Sequence, residues 1–160
     1  MTQTPVRFDD LEGLQSFASG EFGPWGGSLE ITQEMIWQFA ELSGDHQWIH
    51  VDPERARREG PFGAPVAHGM LIMSVLPRIM PQTPWQITGH GAALNYGSDG
   101  LRFLAPVLAG RAIQARTRLA AAARHAKGSL VTTETAVHVL DQEKPALLYR
   151  VQVLYLPRAA

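Results

Sequence analysis

The chain has 160 residues, 45% of them hydrophobic, and its 14 Lys and Arg residues nearly balance 15 Asp and Glu residues, for a net charge of -1. This length allows one globular domain, and the balanced charge provides no general attraction to nucleic acid or to anionic lipid. Because the chain has no cysteine, a disulfide framework, a cysteine-ligated zinc and a thiol nucleophile are excluded.

The sequence predicts neither a secretory leader nor a membrane-spanning segment. The first ten residues are polar and acidic, without the apolar core that a leader has. The longest uncharged apolar run, residues 63–77, is shorter than the roughly 18 residues that cross a bilayer. We therefore expect a cytoplasmic protein with no membrane or nucleic-acid partner. We also expect a single domain over residues 1–160, with an N-terminal extension of about 20 residues.

Two helices with a loop between them are predicted in the first half of the chain. Thr32 suits the N-cap of a helix that stops at Gly44, and the apolar residues between them fall at helical spacing. Asp52 suits the next N-cap, with Pro53 at the first helical position and Gly60 as the stop. The segment "SGDHQWIH" is therefore predicted to be a loop held between two helix ends.

The segment that follows predicts a buried helix. Residues 66–80 contain a single charged residue, Arg78. A helix that is apolar on all sides lies inside a fold. We therefore expect a helix from Val66 to Met80 that the rest of the chain surrounds.

The second half of the chain predicts long antiparallel strands. Residues 111–123, 131–139 and 146–156 alternate between two faces and are separated by the turns "RHAKGS" and "DQEKP". With a strand before the first helix and another near residues 85–97, we predict an α+β fold in which an antiparallel sheet of about five strands wraps around the apolar helix. Such a sheet keeps an open edge, and a second copy can cover it, so we expect a homodimer.

Three features converge on the predicted helix ends: Asp45, His50 and the sequence "AHG" that ends at Gly69. A backbone N–H at the start of a helix has no intrahelical acceptor, and glycine allows a substrate carbonyl to approach closely. An acid, a base and an oxyanion donor suffice to add water across a bond conjugated to a carbonyl. These residues predict an active site for that kind of reaction.

Three segments resemble one known family. "FAELSGDHQWIHVDPERA" resembles the hydratase-2 signature of the MaoC-like dehydratases, the (R)-specific enoyl-CoA hydratases. "GPFGAPVAHGMLIMSVLP" is similar to the start of the family's central helix, and "LNYGSDGLRFLAPVLAGRAIQA" to its strand, turn and next strand. The resemblance implies a hot-dog fold, in which an antiparallel sheet wraps around a long central helix, usually as a dimer. This fold agrees with the one predicted from the alternation of apolar residues.

The resemblance also implies a reaction and its residues. Asp45 and His50 match the catalytic acid/base pair, and Gly69 matches the backbone donor to the thioester oxygen. The implied reaction is reversible syn addition of water to a trans-2-enoyl thioester of coenzyme A or acyl carrier protein, giving the (R)-3-hydroxyacyl thioester without a cofactor. Which of the two side chains acts as the base stays open at this point.

The sequence departs from the family signature at two positions of the loop. Gln47 and Trp48 stand where the signature has Asn-Pro, and we expect the loop geometry to survive the change. These two residues, with His68 and Asn95, are predicted to contact substrate, and His68 also to support the geometry at Gly69.

Other interpretations of the same residues lead to different functions. His46 and His50 have the spacing of a zinc pair, but no third ligand is evident, so we expect no metal. The basic sequence "ERARR" has two interpretations. It binds the phosphates of coenzyme A, or it is a solvated helix end with no ligand. The main alternatives to hydration are an acyl-CoA thioesterase of the same fold and a non-catalytic subunit that binds acyl thioesters.

Overall fold

The computed structural model describes residues 2–159. Its strands are β1 (Thr4–Arg7), β2 (Ser28–Ile31), β3 (Trp85–Thr88), β4 (Ala92–Phe103), β5 (Arg111–His125), β6 (Gly128–Val139) and β7 (Leu147–Leu156). Its helices are α1 (Leu11–Gln15), α2 (Gln33–Ser43), α3 (Trp48–Val51), α4 (Pro53–Glu59) and α5 (Gly69–Ser74). The main layer is a five-stranded antiparallel sheet in the order β2-β5-β6-β7-β4. No helix within residues 2–159 combines the length and apolar character that crossing a membrane requires.

The alternation predicted for the second half of the chain is confirmed along β5, whereas β6 is buried on both faces over residues 135–139 and β7 is partly buried on both faces. Along β5, Ile113, Ala115 and Leu119 are fully buried, whereas the residues between Ile113 and Leu119 on the opposite face are partly exposed. Ile113 and Ala115 lie opposite Val139 and Val137 of β6. The sheet therefore has one apolar face, and α5 packs against it.

The predicted apolar helix is shorter than expected. Regular α-helix covers only α5, and a single 3₁₀ turn, Leu76–Arg78, follows it. Pro77 explains the break, because it lacks the N–H for a bond to the carbonyl of Met73 and its ring collides with that carbonyl. Leu71 and Ile72 are buried, but Met70 is 47% exposed. The structure therefore differs from the prediction of a helix surrounded on all sides from Val66 to Met80.

The N-terminal segment, predicted as an extension, packs onto the domain. β1 pairs in parallel with β3 in a separate two-stranded sheet, so the region near residues 85–97 holds two strands, not the single strand predicted. Leu14 of α1 is fully buried and belongs to a second apolar cluster with Trp85 and Leu119. The backbone N–H groups of Ser19 and Gly23 then donate to β5 carbonyls at 3.1 and 2.9 Å. This segment covers the part of the β5 edge that β2 does not reach.

The opposite edge of the sheet is open along β4. Apart from its first residue and Leu101, the strand is exposed throughout. Its pairing with β7 is interrupted by two register shifts, one after Asn95 and one after Ser98. Leu94 and Tyr96 are about half exposed, at 48% and 54%. This edge carries the kind of apolar surface that a partner strand would cover.

Candidate active site

The loop between α2 and α4 has the helix ends that the sequence predicts. The Thr32 side chain accepts a hydrogen bond from the N–H of Met35, and α2 ends at Gly44, whose φ of 78° is left-handed. The Asp52 carboxylate in turn accepts from the N–H of Arg55 at the start of α4. Glycine adopts this left-handed conformation at little cost. These local signals fix both ends of the segment that carries Asp45 and His50.

His50 lies on the short helix α3 and is only 8% exposed. Its Nδ1 lies 2.5 Å from the carbonyl oxygen of Val66. Since a carbonyl can only accept a hydrogen bond, Nδ1 carries the proton, and Nε2 of the neutral ring keeps its lone pair. Burial lowers the pKa of His50 below its ordinary value and His68 acts in the same direction, while the Val66 hydrogen bond and Asp45 oppose the change. The environment thus favours a neutral imidazole that can act as a base.

Asp45 is exposed and immediately follows the left-handed Gly44. One of its carboxylate oxygens accepts a hydrogen bond of 3.3 Å from the backbone N–H of Gln47. A carboxylate oxygen of Asp45, one ring nitrogen of His50 and one ring nitrogen of His68 all lie within 4.8 Å of one another. The structure therefore brings together the two side chains that the sequence pairs as acid and base.

His68 has a closer relation to this pair than the sequence indicates. It is 3% exposed, and its ring stacks on that of His50 with 3.8 Å between centroids and 28° between planes. Its Nε2 donates to the main-chain oxygen of Asp45 at 2.9 Å. The prediction of a substrate contact does not fit this placement, because the side chain is packed against the loop. No local pattern in the sequence reveals the contact with His50, which depends on the tertiary fold.

The same cluster contains a third candidate metal ligand that the sequence does not reveal. His68 supplies a donor near Asp45 and His50. Zinc requires ring nitrogens at about 2.0–2.1 Å whose lone pairs point at one centre. His50 Nδ1 and His68 Nε2 are already hydrogen-bonded to main-chain oxygens, so each ring offers only its other nitrogen. Asp45 and His50 suit hydrogen bonds to a water or a hydroxyl.

Gly69 is the first residue of α5 and borders an apolar cleft of about 450 Å³. A Cβ atom at this position would lie 2.6–2.9 Å from three ring atoms of Phe103. Phe62, Met70 and Leu104 also line the cleft. Because the first N–H of a helix has no intrahelical acceptor, the Gly69 N–H is available to a ligand there. The cleft is therefore suited to an apolar chain whose carbonyl reaches this backbone group.

Gln47 and Trp48 show why the loop does not need the family's proline. Trp48 is the first residue of α3, and Gln47 before it has φ of -58° and ψ of 133°. The first helical position is where proline is favoured, and the residue before a proline adopts this extended conformation. The backbone here has the conformation that an Asn-Pro pair would take. The Trp48 ring instead packs under the guanidinium of Arg55, whose carbon lies 4.5 Å from the ring centroid.

Replacing Trp48 with proline is expected to preserve the fold and kcat for the predicted hydration, and to raise only KM, because the side chain predicted to contact substrate is lost. The N–H that proline removes has no intrahelical acceptor, so the main loss is the contact with Arg55, about 0.5–1 kcal/mol. Thermal unfolding and the rate of hydration measure the two effects. Ile49→Pro is the matched control, because it forces the helical Trp48 out of the α region and is expected to cost about 3 kcal/mol. A Trp48→Pro variant as damaged as Ile49→Pro would contradict this account of the loop.

Two other predicted residues lie outside the cluster. Asn95 is on the exposed strand β4, eight residues before Phe103, so about 25 Å of strand separates it from the residue that contacts Gly69. Within one chain it is not part of this site. His46 is exposed and pairs with Glu41 at 2.9 Å, and that hydrogen bond raises the pKa of His46. His46 is thus a surface residue.

The basic helix α4 is largely paired within itself. Arg55 and Arg58 both contact Glu59, each at 2.8 Å, and all three side chains are substantially exposed. This arrangement favours the interpretation of "ERARR" as a solvated helix face over a dedicated phosphate site.

The chain is similar in sequence to known proteins of one family. A family profile described as MaoC like domain matches residues 26–140. The chain is 40% identical over 150 residues to 3-hydroxyacyl-thioester dehydratase Z of Mycobacterium tuberculosis, covering 93% of this chain and 97% of that protein. It is 38% identical over 144 residues to nodulation protein N of Rhizobium meliloti, covering 86% and 85%.

Solved structures give the same result. The (R)-hydratase from A. caviae involved in PHA biosynthesis superposes with a TM-score of 0.63 and 27% identity, covering 87% of this chain and 98% of that one. These similarities confirm the predicted α+β hot-dog fold.

Proposed function

This chain belongs to the family of MaoC-like domains and is a hydratase or dehydratase enzyme, and we propose that it hydrates trans-2-enoyl thioesters reversibly to (R)-3-hydroxyacyl thioesters. The observation that carries the proposal is the pairing of Asp45 with a neutral His50, within 4.8 Å and close to the start of α5. The names of the relatives, a 3-hydroxyacyl-thioester dehydratase and an (R)-hydratase, support the substrate class and the stereochemistry.

The proposed addition begins with one water held by Asp45 and His50. His50 Nε2 accepts a proton from this water, because Nδ1 is occupied by the Val66 carbonyl. The hydroxide oxygen forms a bond to the β carbon, and the electrons of the double bond move toward the thioester carbonyl. The Gly69 N–H donates to the resulting enolate oxygen. His50 is thereby assigned as the base, a choice that the sequence leaves open.

Protonation of the α carbon completes the product. The carboxyl group of Asp45, which carries a proton at the start of the proposed cycle, supplies that proton on the same face, which makes the addition syn. The site then holds an imidazolium and a carboxylate, whose nearest ring nitrogen and oxygen lie within 4.8 Å. Transfer of the proton from His50 to Asp45 restores the starting state. Water is the only co-reactant, so the proposed reaction needs neither a cofactor nor a metal.

The substrate is proposed to enter along the cleft beside Gly69. Its apolar lining, with Phe62, Met70 and Phe103, suits the acyl chain of a thioester of coenzyme A or acyl carrier protein. Gln47 and Trp48 flank the acid/base pair on the loop and are proposed to contact the substrate there. The thioester oxygen would then lie at the Gly69 N–H.

The direct test is an assay of hydration across trans-2-enoyl-CoA chain lengths, with the chirality of the product determined. We expect loss of the conjugated double bond and formation of the (R)-3-hydroxyacyl product. Release of free thiol without hydration indicates a thioesterase instead. Tight binding without turnover indicates a non-catalytic subunit. Either of these two outcomes contradicts the proposal.

We further propose that the enzyme is a homodimer that pairs along β4. This twelve-residue edge strand is exposed and carries Leu94 and Tyr96, and an open apolar edge of this length invites pairing. Sedimentation equilibrium should give twice the chain mass of 17.6 kDa. Leu94→Lys is expected to weaken association about tenfold or more, as the loss of one buried leucine predicts. Leu42→Lys, at a leucine of α2 that is 84% exposed, is the matched control; a monomeric parent would contradict the proposal.

A further inference from the structure

We propose that His68 is a positioning residue of this site, whose single ring holds both the backbone of Asp45 and the ring plane of His50. The inference rests on the proposed roles of Asp45 and His50 and extends them to a third side chain. His68 lies directly before Gly69 in the chain, between the loop and α5.

The first link is to Asp45. Among the contacts described, the Asp45 carboxylate is held by one hydrogen bond of 3.3 Å from the Gln47 N–H, and the residue is exposed. Its position therefore depends on the backbone that carries it. His68 Nε2 donates to the main-chain oxygen of that same residue at 2.9 Å. The buried His68 ring thus anchors an otherwise exposed loop at the residue that carries the acid.

The second link is to His50. One hydrogen bond from Nδ1 to Val66 does not by itself fix the plane of the imidazole. The His68 ring lies face to face with it at 3.8 Å and limits this rotation. Phe39 of α2 packs against His68, with 5.1 Å between ring centroids. His68 is therefore held between Phe39 and His50, and the direction of the His50 Nε2 lone pair depends on this contact.

The hydrogen bonding of His68 fits this role. Its Nε2 donates to a carbonyl, whereas its Nδ1 is buried and has no hydrogen-bond partner within residues 2–159. The ring is therefore bound to the loop through one nitrogen, and its face lies against His50.

Two substitutions separate the two links. His68→Phe keeps a ring to stack on His50 but removes the donor to Asp45. His68→Gln places an amide nitrogen near the position of Nε2 but removes the ring. We expect each to lower kcat for hydration about tenfold, and His68→Ala about 10²-fold, because small misplacements of reacting groups carry costs of this size. KM is expected to change less than about threefold, since the ring does not contact substrate.

The pH dependence of kcat/KM distinguishes a positioning role of His68 from a purely structural one, because loss of a structural contact would leave the pKa of His50 unchanged. Burial is the main cause that lowers the pKa of His50, and His68 adds to it. His68→Phe keeps an apolar ring against His50 but removes the contribution of His68, so the pKa of His50 should rise. The base must be neutral to act, and the acid limb of kcat/KM in His68→Phe should therefore move to higher pH. The Val66 carbonyl and Asp45, which raise the pKa of His50, are still present in this variant.

His138→Phe is the matched control. His138 is also a buried imidazole, 2% exposed, with Nδ1 3.2 Å from the carbonyl oxygen of Gln142 and its ring edge-on to Trp25. We expect this variant to unfold at a lower temperature while keeping kcat and the acid limb of the parent. Should His68→Phe fail to fold, His68→Gln carries the same comparison of kcat.

A double variant tests whether His68 acts through His50. In a His50→Ala background, adding His68→Gln should lower the residual rate less than about twofold, because the ring that His68 stacks on is already absent. Unchanged kcat and pH profiles in the His68 variants, or a tenfold loss from His68→Gln in the His50→Ala background, would overturn the inference alone. A parent without hydratase activity would instead overturn the proposed function, and this inference with it.

Discussion

Replacing His50 with alanine is expected to lower the rate of enoyl-thioester hydration by about 10²–10⁴-fold, the range that a positioned general base contributes. The variant removes the lone pair at Nε2 and leaves the water without its proton acceptor. Asp45→Asn is expected to lower the rate of hydration at least about 10²-fold, because an amide cannot supply the proton to the α carbon. The loss of absorbance of the conjugated thioester of crotonyl-CoA measures both rates.

The interpretation of this loss depends on the variants being folded. His50 is buried and its Nδ1 donates to Val66, so His50→Ala leaves a buried carbonyl without its partner and is expected to lose about 1–3 kcal/mol of stability. Asp45 is exposed, and its substitution should leave thermal unfolding nearly unchanged. His46→Ala, in the same loop but paired with the exposed Glu41, controls for the loop itself. Full activity in either the Asp45 or the His50 variant would contradict the assignment.

The local parts of the fold are the parts that the sequence predicts well. The starts of α2 and α4 follow from side chains at Thr32 and Asp52 that cap their own helices, and such caps act within a few residues. The faces of β5 follow from strict alternation, which a half-buried strand requires. The acid/base pair is also local, since Asp45 and His50 lie between the Gly44 stop of α2 and the Asp52 cap of α4. The sequence predicts a loop there and not the short helix α3 that carries His50.

The parts that the sequence does not predict depend on distant contacts. β1 pairs with β3 across about eighty residues, and no local pattern encodes that parallel pairing. His68 meets His50 only because the backbone of Val66 and Ala67 hydrogen-bonds to Ile49 and Val107, which places α5 against the loop. The predicted length of α5 was wrong for a different reason. The break at Pro77 follows from a local rule, but the prediction relied on apolar composition alone.

Replacing Gly69 with alanine is expected to lower kcat/KM for hydration by about 10²-fold, within the range for losing one oxyanion donor. The N–H remains, but a methyl group now stands where the thioester oxygen must approach it. The same Cβ would lie 2.6 Å from the ring of Phe103, so displacement of that ring is a competing cause. Phe103 is half exposed, at 50%, and its ring can move away.

Phe103→Ala, alone and combined with Gly69→Ala, separates the two causes. If the methyl group blocks the thioester oxygen, the double variant stays as slow as Gly69→Ala, because removing the ring does not clear the path to the N–H. If displacement of Phe103 is responsible, the double variant recovers to the rate of Phe103→Ala. That recovery would contradict the assignment of Gly69 as the donor, and it would identify Phe103 as the residue through which position 69 affects the cleft.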